Sequence, residues 1–280
     1  MEKFVVDKNQ ALYKALENEF STISPLVLHK LVGQKNAKVN GVRVKENIEL
    51  KRGDEVEIFI PQKYLKNDIK IIYQDDSIVV VNKPVKLEVV SDGDGQTLTT
   101  LLTEKVGTVF PVHRLDTNTT GLVIFARTEA VKDALIEGFK QGVIHKKYAA
   151  VVYAPTIPMC AYYQDYIVEN KTTKVRVTQE KTPRGLEAIL EFDVKKSNGP
   201  LHLLDITLYT GRTHQIRAQL AFHHIFVLGD GKYGDKTANK LYSARTQKLC
   251  AYELSFDFPS TSILHYLNKT TLSISIPFGV

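Results

Sequence analysis

Residues 113–126 read His113-Arg114-Leu115-Asp116-Thr117-Asn118-Thr119-Thr120-Gly121-Leu122-Val123-Ile124-Phe125-Ala126. The second half is an unbroken apolar run of strand length and reads as a buried strand. The first half is polar. An aspartate followed by Thr-Asn-Thr-Thr-Gly is turn chemistry, and taken alone Asp116 fits a structural Asx-turn. Working outward, Ile69–Tyr73 and Ile78–Val81 flank Gln74-Asp75-Asp76-Ser77 as a hairpin, and Val131–Phe139 suits a helix. Tyr148–Tyr153, Ala188–Phe192 and Leu203–Leu208 suit further strands. Strands outnumber helices and hairpins are common, so the expected class is α+β with a mixed, largely antiparallel sheet.

The 280 residues are 43% hydrophobic and 24% charged, the balance of a chain that folds around a core. Met1-Glu2-Lys3-Phe4 has no basic-then-apolar pattern, and runs such as Ile78–Val81 are far too short to cross a bilayer. A cytoplasmic protein without membrane contact is expected. Cys160 and Cys250 stand alone, and His223-His224 are adjacent and diverge, so no metal site is expected. The net charge of +6 favours a polyanionic partner. Residues 1–61 hold ten Lys/Arg against nine Asp/Glu, so most of the excess lies in the remainder.

Residues 1–61 form a block of their own. Ala11, Leu12, Ala15, Leu16 and Phe20 recur near the helical period, and Leu26, Leu28, Leu31 and Val32 suggest a second helix after Pro25. Asn40-Gly41 is a hairpin turn between alternating residues, Gly53-Asp54 is a second turn, and Glu55–Ile60 alternates as a half-buried strand. The stretch KVNGVRVKENIELKRGDEVEI (residues 38–58) resembles an S4-type RNA-binding domain. That resemblance implies phosphate contacts from basic residues including Lys30, Lys38 and Arg43. It departs from the family at Ser24-Pro25-Leu26-Val27-Leu28-His29-Lys30, where arginines usually open the second helix. Polar residues 62–68 read as a linker to a larger domain at 69–280.

In the larger domain, Gly211-Arg212-Thr213-His214-Gln215-Ile216-Arg217 follows a strand, and a helix is expected to start with Thr213 as N-cap. Arg212, His214 and Arg217 then crowd a helix N-terminus, where cations oppose the helix dipole. Surface arginines are one reading; an anion held at that end is the other. Lys146-Lys147-Tyr148 supplies an aromatic ring with basic neighbours, as an unstacked base requires, although such a tyrosine is also ordinary at a strand edge.

Together, HRLDTNTTGLVIFART (113–128), HKKYAAVV (145–152), LHLLDITLYTGRTHQIRAQL (201–220) and LGDGKYG (228–234) resemble the RluA-type pseudouridine synthases. YQDDSIVVVNKP (73–84) is similar to the opening of that catalytic domain. The resemblance implies that Asp116 is the catalytic aspartate, that Arg217 pairs with it and that Tyr148 stacks on a flipped uracil. It further implies that Arg114 contacts the RNA backbone, with Arg212 and His214 in support or RNA contact. The implied reaction breaks the N1–C1′ bond, turns the base and rejoins it through C5, an isomerisation that requires no cofactor. A carboxylate could attack C1′ or remove the C2′ proton. Either role needs a charged carboxylate in a closing pocket, where desolvation works against charge and a bidentate arginine restores it.

The sequence departs from the family at Thr120, commonly serine, at Lys86, which stands at a glycine position, and at Val90-Ser91-Asp92, where a His-Pro pair is usual. Cys250 stands where histidine is frequent. The expected partner is structured RNA: ribosomal RNA first, transfer RNA as the alternative, acted on by a monomer. A non-catalytic RNA-binding or ribosome-assembly protein of the same fold, and an RNA N-glycosidase, are the competing readings.

Overall fold

A computed structural model describes residues 2–20, 23–61, 69–91, 96–168 and 174–280. The described residues before 62, with 91, 96 and 97, form one compact unit, and the remainder form a second. Sequence placed 91–97 in the larger domain. The expected linker at 62–68 lies outside the described residues.

The first unit comprises β1 (Glu2–Val5), β2 (Gln10–Ala11), α1 (Leu12–Glu19), α2 (Pro25–Gly33), β3 (Ala37–Val39), β4 (Val42–Val44), β5 (Glu49–Leu50) and β6 (Glu55–Ile58). Its antiparallel sheet runs β1-β6-β3-β4. Asn40 and Gly41 both take positive φ (49° and 80°), as a tight hairpin with right-handed strand twist demands. Leu12, Leu16, Leu28, Leu31 and Val32 are buried against the sheet residues Ala37, Val56 and Ile58. Leu26, counted with that apolar set in the sequence, is instead 80% exposed at the first turn of α2.

The second unit comprises β7 (Lys70–Gln74), β8 (Ile78–Lys83), α3 (Leu98–Val106), β9 (Phe110–Pro111), β10 (Thr120–Ala126), α4 (Glu129–Gln141), β11 (Ile144–Tyr153), β12 (Cys160–Val168), β13 (Arg176–Thr178), β14 (Leu186–Asn198) and β15 (Leu201–Leu208). It continues through α5 (Gln215–Phe222), β16 (Phe226–Val227), α6 (Lys236–Leu241), β17 (Leu249–Phe256) and β18 (Thr271–Ser273). The main sheet follows the order β13-β12-β14-β15-β11-β17-β10-β8-β7. Every described pairing is antiparallel except β10 with β17, so the sheet is mixed and largely antiparallel.

Two apolar layers explain why β8 and β10 read as continuous hydrophobic runs. Val79, Val81, Val123 and Phe125 face a core that includes Leu98 and Leu102 of α3 and Ile216 and Leu220 of α5. Ile78, Val80, Leu122 and Ile124 face a second core with Val131 and Leu135 of α4. Strands buried on both faces lose the alternation of a half-exposed sheet. Each fully buried Val, Leu, Ile or Phe here contributes about 1.5–3 kcal/mol.

The parallel junction of β10 and β17 depends on Gly121. Its φ is +117°, and a Cβ there would collide with the Ala251 backbone. Only glycine lets the two strands approach so closely, directly after the loop that carries Asp116.

Candidate active site

The Asp116 loop is held by its backbone. The Asp116 carbonyl accepts the Thr119 N–H (3.0 Å), closing the turn without the carboxylate. The Thr119 hydroxyl accepts from buried Gln247 (2.7 Å), which ties the loop to the segment entering β17. On the other side, the fully buried Lys83 ammonium donates to the carbonyls of Leu87 (2.8 Å), Pro84 (3.0 Å) and Thr117 (3.2 Å). Burial drives its pKa down to about 7, opposed by the charges of Asp116 and Glu88. His113 anchors the loop from below, its Nε2 accepting the Ile124 N–H (3.0 Å). Burial, then the Lys146 charge, pushes that imidazole to about 3, so it is neutral with its proton on Nδ1.

Freed from turn duty, the Asp116 carboxylate reaches Arg217, whose NH1 donates to Oδ2 at 2.7 Å. Arg217 lies in α5 with its side chain 9% exposed, against 24% for Asp116. The expected bidentate clamp on Asp116 is not what forms. The two-point pair is with Asp230, through Nε to Oδ2 (2.6 Å) and NH2 to Oδ1 (3.0 Å), and Asp116 receives a single N–H. Burial alone would lower the Arg217 pKa, but Asp230 and then Asp116 hold it above its ordinary value. Asp230 experiences the converse: burial raises it, and Arg217 with the Tyr233 and Lys232 N–H groups keeps it below the usual carboxylate range.

The helix also begins differently from the expected Thr213 cap. α5 starts at Gln215, preceded by His214 in the left-handed region (φ 55°) with no side-chain cap hydrogen bond. The Gln215 amide oxygen closes the turn instead, accepting from the Thr210 hydroxyl (2.8 Å) and the Arg212 N–H (3.0 Å). A buried glutamine able to fold back on the preceding residues displaces the threonine that sequence statistics favour. The cations disperse accordingly. Arg212 Nε donates to the Glu187 carbonyl (2.9 Å), His214 Nδ1 meets the Tyr233 hydroxyl (3.0 Å), and Arg217 finds the two carboxylates. The anion anticipated for this region is, for Arg217, supplied by the protein itself.

Tyr148 approaches from β11. The register against β17 shifts between Lys147 and Tyr148, a bulge of the kind that re-aims a side chain. Tyr148 is 6% exposed, and burial, then the Asp116 charge, raises its hydroxyl pKa, so it keeps its proton. Arg114, Asp116, Tyr148, Arg212, His214 and Arg217 all line one cleft of about 540 Å³, within the range of small-molecule sites. Arg114 is exposed at its rim. Lys30, Lys38 and Arg43 belong to the other unit: Lys30 is exposed on α2, Arg43 is exposed on β4, and Lys38 of β3 sits 3.7 Å from Glu57.

Residues 77–222 match the family described as RNA pseudouridylate synthase. The chain belongs to that family.

The synthase is 30% identical to an uncharacterized RNA pseudouridine synthase of Mycoplasma capricolum, over 97% of both chains. It is 29% identical to ribosomal large subunit pseudouridine synthase C of Rickettsia conorii, over 83% of this chain and 86% of that one. Among solved structures it resembles human RNA pseudouridylate synthase domain containing 4, with a TM-score of 0.60 and 25% identity over 74% of this chain and 88% of that one. Among the described residues, no helix of the synthase is long and apolar enough to cross a membrane.

Two residues central to this geometry carried no role in the sequence reading. Asp230 lies beyond the family match, and its signal was the glycine-rich LGDGKYG stretch, in which Gly229 and Gly234 pack against backbone. Lys83, in the Asn82-Lys83-Pro84 stretch, gave no sign in one dimension that it would be fully buried.

Proposed function

We propose that the synthase isomerises uridines of large-subunit ribosomal RNA, with Asp116 as the reacting carboxylate. The observation that carries this reading is Asp116 Oδ2 held at 2.7 Å by Arg217 inside a cleft shared with Tyr148. Among the described residues no other hydrogen bond reaches the Asp116 carboxylate, so one oxygen stays available to C1′ or to the C2′ proton. A flipped uracil needs a flat apolar contact to offset lost stacking, a few kcal/mol. Tyr148, protonated and packed against the core, supplies it without the conformational cost of a loose ring. Arg114 and Arg212 at the cleft contribute phosphate attraction. The relatives named for the large ribosomal subunit support ribosomal over transfer RNA.

The first unit supports a second contact with the same RNA, as an S4-type domain would make. Arg43, Lys38, Glu57 and Lys3 stand in one row across β4, β3, β6 and β1. Arg43 directly opposite Lys38 is unfavourable for the sheet alone, and a phosphate would relieve it.

The test uses large-subunit rRNA transcribed with uridine tritiated at C5, since rejoining through C5 releases that hydrogen. The synthase is expected to release tritium and no free uracil. Asp116→Asn is expected to lower release by at least about 10³-fold, the scale of losing a base or nucleophile, with RNA affinity near wild type. Substantial turnover by this variant would remove Asp116 from the role.

A further inference from the structure

The loop that grips Arg217 is more elaborate than an ion pair requires. Asp230 Oδ1 also accepts the N–H groups of Lys232 (2.7 Å) and Tyr233 (3.0 Å), so the carboxylate shapes its own loop. Asn239 braces it from α6, donating to the Asp230 carbonyl (3.1 Å) and accepting the Gly229 N–H (2.6 Å). Gly229, at φ +77°, lies so close to the Thr246 carbonyl that no side chain fits. The Tyr233 ring covers the guanidinium, 5.2 Å from its carbon. Arg217 is thus fixed on one edge by Asp230 and on one face by Tyr233, with NH1 left for Asp116.

Charge adds a second consequence. Asp230 is 1% exposed and Arg217 is 7% exposed. With Asp230 ionised, the Arg217 charge is already matched, and the Asp230–Arg217–Asp116 cluster carries a net charge of −1. Asp116 therefore meets an oriented N–H and not an unbalanced cation. We propose that Asp230 is a positioning residue of the isomerisation: it aims the Arg217 fork and cancels its charge, so Asp116 is oriented without being quenched as a base or nucleophile.

This inference rests on the role proposed for Asp116. The groups facing that carboxylate are Arg217 and His214 at the start of α5, Lys83 from β8, Tyr148 from β11 and Tyr233 from the Asp230 loop. Removing the Asp230 charge leaves these in place while exposing Asp116 to the full Arg217 cation.

Asp230→Asn keeps the shape and removes the charge. In the tritium-release assay on the same rRNA transcript, kcat is expected to fall about 10- to 100-fold, as for a misplaced catalytic group, with KM little changed. The acid limb of the pH–rate profile is expected to move to lower pH. Independently of activity, the carboxyl carbon of Asp116 in protein labelled with ¹³C-carboxyl aspartate, assigned by its loss in Asp116→Asn, should titrate at lower pH in Asp230→Asn. Asp230→Glu restores the charge on a longer arm: the limb should return to its wild-type position while kcat stays reduced, and this variant carries the test if Asp230→Asn does not fold. Unchanged kcat in both variants, or a lower kcat in Asp230→Asn with the Asp116 titration unmoved, would overturn the proposal. If the wild type releases no tritium, the proposed substrate fails, and the carbon titration still decides the role of Asp230.

Discussion

At Asp116 the backbone and side chain do separate work: the carbonyl closes the turn onto Thr119 and the carboxylate reaches Arg217. Arg217 in turn makes three directional contacts from one planar group, which a lysine cannot reproduce. Arg217→Lys keeps the charge but loses the fork, and is therefore expected to abolish tritium release and to destabilise the fold by about 1–3 kcal/mol, the scale of leaving buried acceptors unsatisfied. Urea denaturation reads the second effect, and a midpoint equal to wild type would contradict it. Lys86 gives the opposite case. It is exposed at φ 61°, the region that explains why the resembled family usually has glycine there. Lys86→Gly should relieve that strain, less the extra freedom of the unfolded chain, and stabilise by up to about 1 kcal/mol. A lower urea midpoint would rule this out.

Among the elements, the strands most visible in the sequence are those buried on both faces, because an apolar run such as Ile78–Val81 needs no partner to be recognised. β12 escaped notice: Tyr162, Tyr163 and Tyr166 mix rings on both faces and blur the alternation. The start of α5 escaped for another reason, since the Gln215 side chain caps the turn only once Thr210 and Arg212 are in place. Motif resemblance grouped Asp116, Tyr148 and Arg217 in the sequence, and the three line one cleft. The Asp230 grip on Arg217 was not legible, because nothing in one dimension says which of two carboxylates takes both arms of a guanidinium. His113 joins the Asp116 loop to β10, and its protonation is a property of that junction. Its folded pKa of about 3 lies below the 6.5 of a free imidazole. Between those values the unfolded chain binds a proton that the fold excludes, so stability falls as pH drops from 6.5 toward 3 and is fully present above 6.5. His113→Gln keeps an acceptor for the Ile124 N–H and does not titrate. The urea midpoint of that variant should change less between pH 7 and pH 5 than the wild type's, and an equal change would exclude His113 as the source.

For the whole molecule, the two compact units each have their own apolar core, which makes the first separable in principle. Deleting residues 1–61 is expected to weaken RNA binding more than it slows the chemical step, and to flatten the decline of affinity with salt as phosphate contacts are lost. Equal affinity of the truncated and full chains for the rRNA transcript would refute an RNA-binding role for the first unit. A block of its own up to residue 61 was legible from composition and turn spacing. The grouping of 91, 96 and 97 with the first unit was not, because return segments leave no local pattern.

The parallel pairing of β10 with β17 also sets an order of assembly. Thr120 and Gly121 pair with Cys250 and Ala251, and Thr119 is bonded to Gln247. On a ribosome adding residues one at a time, β10 and the Asp116 loop emerge well before these partners exist. Until β17 is delivered, Gly121 can pair with Lys83 of β8 but lacks the Ala251 backbone that requires a glycine, and the loop lacks one of its anchors. The proposed reacting carboxylate is thus among the last features of the enzyme to be set, so a nascent chain that stops short of Gln247 would carry all the proposed catalytic residues and no finished site.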